Sequence, residues 1–194
     1  LGLITALIFW RVPMTRTAAL LVLPVLLLLG VWSMTVPAEA SRLPATYDTC
    51  LLWIHDGVGK VFLAICLVAT GLAGILLLGR LNTTHRLVRG LPGESELDDL
   101  VWRMMAVAFV FHSLMLIAGA VWAQDAWGRY WDWDPLETSA FLTWLAMAIS
   151  LHLRLTWRVP PWLGWWLVIA IFVLAFLTFF GLPFNSAGPH RGIL

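Results

Sequence analysis

Five long apolar runs constrain this chain more than any other feature of its sequence. They cover about residues 18–36, 57–79, 101–123, 137–157 and 162–183. A helix that crosses the hydrocarbon core of a bilayer needs roughly 20 mostly apolar residues, and each run is about that long. Inside a bilayer every backbone polar group must be paired within the protein, which favours helices. The sequence therefore predicts an all-α, polytopic transmembrane helix bundle that forms a single integral membrane domain over residues 1–194.

A sixth apolar run, Leu1 to Trp10, is too short to cross a membrane. Arg11 and Arg16 follow this run, whereas a cleaved signal peptide carries its basic residues before the apolar stretch. The chain also begins without an initiator methionine. We therefore expect about six helices, of which the first is incomplete, and further protein upstream.

The composition excludes several classes of protein. Hydrophobic residues make up 61% of the chain and charged residues 12%, whereas soluble domains average roughly half and a quarter. This excludes a soluble globular enzyme and a disordered segment. The 12 basic and 11 acidic residues form no dominant basic patch, so nucleic acid is not an expected partner, whereas the lipid bilayer is.

The basic residues predict how the helices are oriented. Connections on one side carry Arg11, Arg16, Arg80, Arg86, Arg89, Arg103, Arg154 and Arg158, and those on the other side carry Arg42, Lys60, Arg129 and Arg191. Because basic loops stay cytoplasmic, residues 37–54, residues 124–136 and the C-terminal tail are predicted to be non-cytoplasmic. Six tryptophans near the cytoplasmic boundary are expected to be interfacial anchors: Trp10, Trp102, Trp157, Trp162, Trp165 and Trp166.

A second group of tryptophans crowds residues 122–138. This segment holds Trp122, Trp127, Trp131 and Trp133 together with Arg129 and Asp134. An interfacial aromatic belt explains one or two of these tryptophans, but it does not explain four. We interpret them as a tryptophan platform at the membrane surface, against which a flat apolar ligand can lie while Arg129 pairs with a ligand carboxylate. Asp134, which precedes a proline, also suits a helix N-cap.

Residues 127–135 read Trp-Gly-Arg-Tyr-Trp-Asp-Trp-Asp-Pro, and Glu137-Thr138 follow. This stretch resembles the WWD signature of haem-handling proteins in cytochrome c assembly, most closely the CcsA/ResC group and more distantly CcmC and CcmF. The resemblance implies that the platform holds haem at the outer surface between two axial histidines. Haem then passes to apocytochrome c, with another membrane assembly protein as partner. It also implies a prokaryotic-type inner membrane or a plastid membrane.

Two histidines lie on the predicted outer side. His55 opens the third helix and His190 lies in the tail, upstream and downstream of the signature. Both suit bis-imidazole coordination of one haem, and Asp56 or Asp48 can orient the His55 ring. The alternative is that each is an ordinary interfacial histidine. Since the chain lacks a CxxCH motif, the haem is expected to be b-type and non-covalent.

His112 and His152 fall within predicted spans, where ionisable groups are costly and are candidates for function. They can share a transmembrane haem if their helices tilt, which would raise the count from one haem to two. The alternative for each is a neutral histidine bonded to a carbonyl or hydroxyl group. The resemblance supports His152 as a membrane histidine but does not supply one at His112.

Two functions therefore stay open. The first is haem delivery in cytochrome c biogenesis. The second is a b-type haem subunit of a respiratory complex that carries electrons between quinol and an outer multihaem cytochrome c. No nucleophile elbow, phosphate loop or zinc spacing occurs in the sequence, so neither interpretation requires a stand-alone enzyme.

Overall fold

A computed structural model describes residues 1–35, 49–80, 93–157 and 159–181. These residues confirm the all-α helix bundle, because they contain helices and no strand. The helices are α1 (Gly2–Arg11), a 3-10 helix (Pro13–Ala18), α2 (Ala19–Thr35), α3 (Cys50–Gly79), α4 (Glu94–Trp127), α5 (Pro135–Thr156) and α6 (Pro161–Phe180). Within these described ranges, five stretches are long and apolar enough to cross a membrane, and each overlaps one of the five predicted spans.

Helix α3 forms the centre of the bundle. In its most apolar part 72% of the residues are buried, and it packs most extensively on α4 and then on α6. A helix that is apolar on all sides suits such a buried position. Gly71 lets the N-terminal segment come close, because a Cβ atom there would lie 2.6 Å from Val22 Cγ2. Small residues of this kind permit close helix packing in membranes.

Helices α3 and α4 extend beyond the predicted spans at the end of the bundle predicted to be outside. The Thr49 hydroxyl caps α3 by accepting a hydrogen bond from the Leu52 backbone amide. Helix α4 ends at Trp127, and Gly128 follows it with φ +74°, the left-handed conformation common after a helix. Only residues 128–134 therefore connect α4 to α5, and the tryptophan-rich loop is shorter than the sequence predicted.

A polar cluster joins α4, α5 and α6 at the opposite end of the bundle. Asp98, which is buried, accepts hydrogen bonds from Arg154 Nη2 at 2.6 Å and from Trp165 Nε1 at 2.7 Å. The Arg154 guanidinium also lies 5.7 Å from the ring centroid of Trp102. Trp102 and Trp165 are both buried, so the prediction that they are interfacial anchors is wrong.

Candidate functional site

A cavity of about 450 Å³ lies where α3 begins and α4 ends. Its volume is within the range of cofactor and small-molecule sites, roughly 300 to 1,000 Å³. Side chains of α3, α4, α5 and α6 and of the 128–134 loop line it, and most of the lining is apolar. We call it the outer cavity, since this end of the bundle is predicted to be non-cytoplasmic.

His55 borders the outer cavity, and one of its two ring nitrogens is hydrogen bonded to the backbone of α4. Its Nδ1 atom lies 2.9 Å from the backbone oxygen of Met115 on α4. A carbonyl oxygen only accepts hydrogen bonds, so Nδ1 is the donor. The neutral ring then carries its lone pair on Nε2, and metal-ligating histidines are commonly fixed in this way by a second hydrogen bond.

Gly119, one helical turn beyond Met115, provides the space in which this ring lies. A Cβ atom at position 119 would be 2.7 Å from both Cε1 and Nδ1 of His55. Real Cβ atoms do not approach other heavy atoms so closely, so a larger residue would displace the imidazole. The glycine therefore helps to position the His55 ring.

An ion pair lies next to His55 in α3 and joins residues one helical turn apart. Lys60 Nζ is 2.5 Å from Asp56 Oδ2, and both residues border the outer cavity. Sequence reasoning expected Asp56 or Asp48 to orient His55. The Met115 carbonyl binds Nδ1 instead, and Asp48 lies outside the described residues. The ion pair between Lys60 and Asp56 was not predicted from the sequence, although oppositely charged residues four positions apart in a helix commonly pair.

The rings of the tryptophan platform meet as two edge-to-face pairs. Trp122 and Trp127 have ring centroids 4.9 Å apart, and those of Trp131 and Trp133 are 5.7 Å apart. Trp122 and Trp131 border the outer cavity, whereas Trp133 is 68% exposed. Trp133 also has φ +59°, which is unusual for a bulky residue and characteristic of constrained functional segments.

The polar residues of the loop hold its shape. Asp134 Oδ1 accepts a hydrogen bond from the Glu137 backbone amide at 2.8 Å, which confirms Asp134 as the N-cap of α5. Glu137 Oε2 in turn accepts from the Asp132 amide at 2.7 Å. Arg129 Nη2 lies 2.6 Å from Asp132 Oδ2, and Arg129 is not among the residues that line the outer cavity. Its pairing with a ligand carboxylate stays a prediction.

Two other candidate histidines that the structure describes, His112 and His152, are not among the residues that line the outer cavity. His112 is 1% exposed and stacks on Phe62 of α3 with ring centroids 4.2 Å apart. His152 is exposed on α5. His190 lies outside the described residues. The structure thus brings His55, Trp122 and Trp131 to one cavity, and it gives His112 and His152 different surroundings.

A family model described as cytochrome C assembly protein matches residues 1–190. The chain belongs to the cytochrome c assembly protein family.

Curated relatives of this cytochrome c assembly protein carry the name cytochrome c biogenesis protein CcsA. Those of Manihot esculenta and of Prochlorococcus marinus strain MIT 9312 are 37% identical over 95 residues and 42% identical over 101 residues. The matched stretches cover 49% and 50% of this chain, but only 30% and 31% of the relatives' own lengths. No solved structure matches the chain significantly.

The family implies haem, and the side chains around the outer cavity of this assembly protein suit it. The cavity is apolar, His55 carries its lone pair on Nε2, and Gly119 has no side chain to crowd the imidazole. No group of three or more potential ligands for a bare metal ion occurs among the described residues. Haem iron needs only one or two axial ligands from the protein, so a single well-placed histidine is consistent with it.

Proposed function

We propose that this chain binds haem as its cargo in the outer cavity and passes it to apocytochrome c. The observation that carries the proposal is the hydrogen bond from His55 Nδ1 to the Met115 carbonyl at the wall of a cofactor-sized cavity. This bond supports a fixed Nε2 ligand for haem iron. The cytochrome c assembly family and the relatives' name, cytochrome c biogenesis protein, support the same role.

Each part of the site has a distinct role in this proposal. His55 ligates the iron, and His190 completes the bis-imidazole pair that the family resemblance implies. The tryptophan platform covers the porphyrin, with Trp122 and Trp131 in contact with it at the cavity wall. Bound haem supplies the vinyl groups that react with cysteine thiols of the acceptor. The proposed partners are haem, apocytochrome c and another membrane assembly protein, at the non-cytoplasmic face of the membrane.

A second candidate is a subunit that retains b-type haem and transfers electrons from quinol to an outer cytochrome. One observation favours it: His112 Nδ1 is buried in the bundle without a hydrogen-bond partner among the described residues. A buried histidine that lacks such a partner is a candidate for function inside a membrane. Delivery remains the main proposal because the outer cavity is wide enough for a cofactor and borders the tryptophan platform.

A haem-transfer assay distinguishes the two functions. The purified chain is loaded with haem and mixed with an apocytochrome c that carries a CxxCH motif, with a double Cys→Ser acceptor as the matched control. We expect haem to leave the chain when the intact acceptor is present. Haem that stays bound to the chain and is reduced by added quinol would contradict delivery and support electron transfer.

A further inference from the structure

We propose that Lys60 and the indole N–H of Trp131 bind the carboxylates of the ligand in the outer cavity. For haem these carboxylates are the two propionates. The inference rests on the proposed function, and it specifies which end of the porphyrin faces α3. It also differs from the sequence-based prediction, which assigned a ligand carboxylate to Arg129.

Lys60 lies near the start of α3, at the end of the bundle predicted to be non-cytoplasmic. Its side chain is 54% exposed and borders the outer cavity, so the ammonium group is accessible to a ligand there. Side chains on a helix lean towards its N-terminus, which places the Lys60 ammonium group near Asp56, one turn closer to the predicted outer face. The ammonium group therefore lies at the cavity wall beside Asp56, the residue that follows His55 in the chain.

The ion pair with Asp56 leaves Lys60 able to bind a ligand. An ammonium group has three N–H donors, and Asp56 Oδ2 accepts one of them. A ligand carboxylate can accept another without displacing Asp56. Asp56 would then hold the ammonium group in place.

Trp131 supplies an independent observation from a different element. Its Nε1 atom is buried and has no hydrogen-bond partner among the described residues, although the side chain borders the same cavity. Leaving an N–H donor buried and unpaired costs free energy, and an acceptor on a bound ligand removes that cost. A porphyrin carboxylate in the cavity becomes such an acceptor when the indole ring turns its Nε1 atom, which solvent does not reach in this structure, towards the cavity.

The other charged side chains at the site are already engaged within the protein. Glu137 borders the cavity, and its Oε2 accepts the Asp132 amide. Arg129 pairs with Asp132 and is not part of the lining. Among the described lining residues, Lys60 is the cationic side chain with donors left for a carboxylate.

The test compares haemin with haemin dimethyl ester, in which both carboxylates are esterified. Each is titrated into the purified full chain in detergent, and binding is followed by the Soret band. We expect the wild type to bind haemin about tenfold more tightly than the diester, since hydrogen bonds to charged groups are worth that much or more. Lys60→Met is expected to remove most of this preference, and Lys60→Arg to retain it.

Two further variants distinguish hydrogen bonds from Lys60 and Trp131 from general effects of charge or packing. Trp131→Phe keeps an aromatic ring but removes the N–H, and we expect it to reduce the preference a few-fold with little effect on diester binding. Arg103→Met is the matched control, because Arg103 is an exposed basic residue of α4 outside the cavity lining. It is expected to leave the preference unchanged.

Failure of this inference is distinguishable from failure of the proposed function. Equal binding of haemin and diester by the wild type, with a Soret band that depends on His55, would overturn the inference and leave the proposed function intact. A preference lost in Arg129→Met but kept in Lys60→Met would also overturn it. The absence of a His55-dependent shift of the Soret band with either porphyrin would contradict the proposed function itself.

Discussion

The imidazole of His55 packs directly on Gly119, so that a Cβ atom at position 119 would lie 2.7 Å from both Cε1 and Nδ1. One turn earlier on the same helix, the Met115 carbonyl accepts the Nδ1–H of the same ring at 2.9 Å. Backbone atoms of α4 therefore determine both the position and the tautomer of His55. A proposed haem ligand on α3 depends on its neighbour α4.

Gly119→Ala is the smallest change that tests this arrangement. The added methyl group would displace the imidazole, so we expect haem bound per chain to fall by about tenfold, as measured by the Soret band. Gly57→Ala is the matched control in α3, because a Cβ atom there meets no atom within 4 Å. Wild-type haem content in Gly119→Ala would show that the close packing of His55 does not matter for binding.

The polar cluster at the other end of the bundle predicts a difference between two adjacent aspartates. Asp98→Ala removes the acceptor for both Arg154 and Trp165, which should lower the free energy of unfolding by about 3 kcal/mol. Asp99→Ala should cost less than about 1 kcal/mol, since the Asp99 side chain is 62% exposed. Unfolding of each variant by titration with a denaturing detergent measures the difference. Equal free energies of unfolding for Asp98→Ala and Asp99→Ala would show that the hydrogen bonds of Asp98 do not stabilise the bundle.

The two cysteines test the predicted orientation of the helices. Cys50 is exposed at the start of α3, and Cys66 is buried in its middle. A membrane-impermeant maleimide should therefore label Cys50 from the non-cytoplasmic side, and Cys50→Ala should remain unlabelled until the protein is unfolded. Labelling of Cys50 only in inverted vesicles would place it on the cytoplasmic side and contradict the predicted orientation.

His112 provides a prediction about the number of haems. Its ring is buried against Phe62, and it does not border the outer cavity. We expect one haem per chain in a pyridine haemochrome assay, and we expect His112→Phe to leave that count unchanged. Two haems in the wild type and one in His112→Phe would support the transmembrane haem that the sequence suggested for His112 and His152.

Features that depend on local sequence were predictable. The five spans follow from the length of the apolar runs, and the cap at Asp134 follows from the residue types around it. His55 and the tryptophan segment were also identified as neighbours of a site, because the predicted orientation places them on one side of the membrane. Each of these inferences uses residues close together in the chain or a count of charges.

Features that depend on how the helices face one another were not predictable. The contacts of His55 with Met115 and Gly119 join residues about 60 positions apart in the chain, and they require one particular rotation of α3 against α4. The hydrogen bond between Asp98 and Trp165 has the same origin. Hydropathy predicts that a helix spans the membrane, but not which of its residues face a given neighbour. For this reason Trp165 resembled an interfacial anchor in the sequence.

The central claim is that His55 is a haem ligand, and the haem content of His55→Ala tests it most directly. His85→Ala is the matched control, since His85 follows the span 57–79 in the same basic connection as Arg80 and Arg86, which the charge distribution predicts to be cytoplasmic. Both variants and the wild type are purified in parallel, and haem is measured per chain from the Soret and α bands. We expect a large loss of haem in His55→Ala and none in His85→Ala. Equal haem content in the wild type and His55→Ala would contradict the central claim.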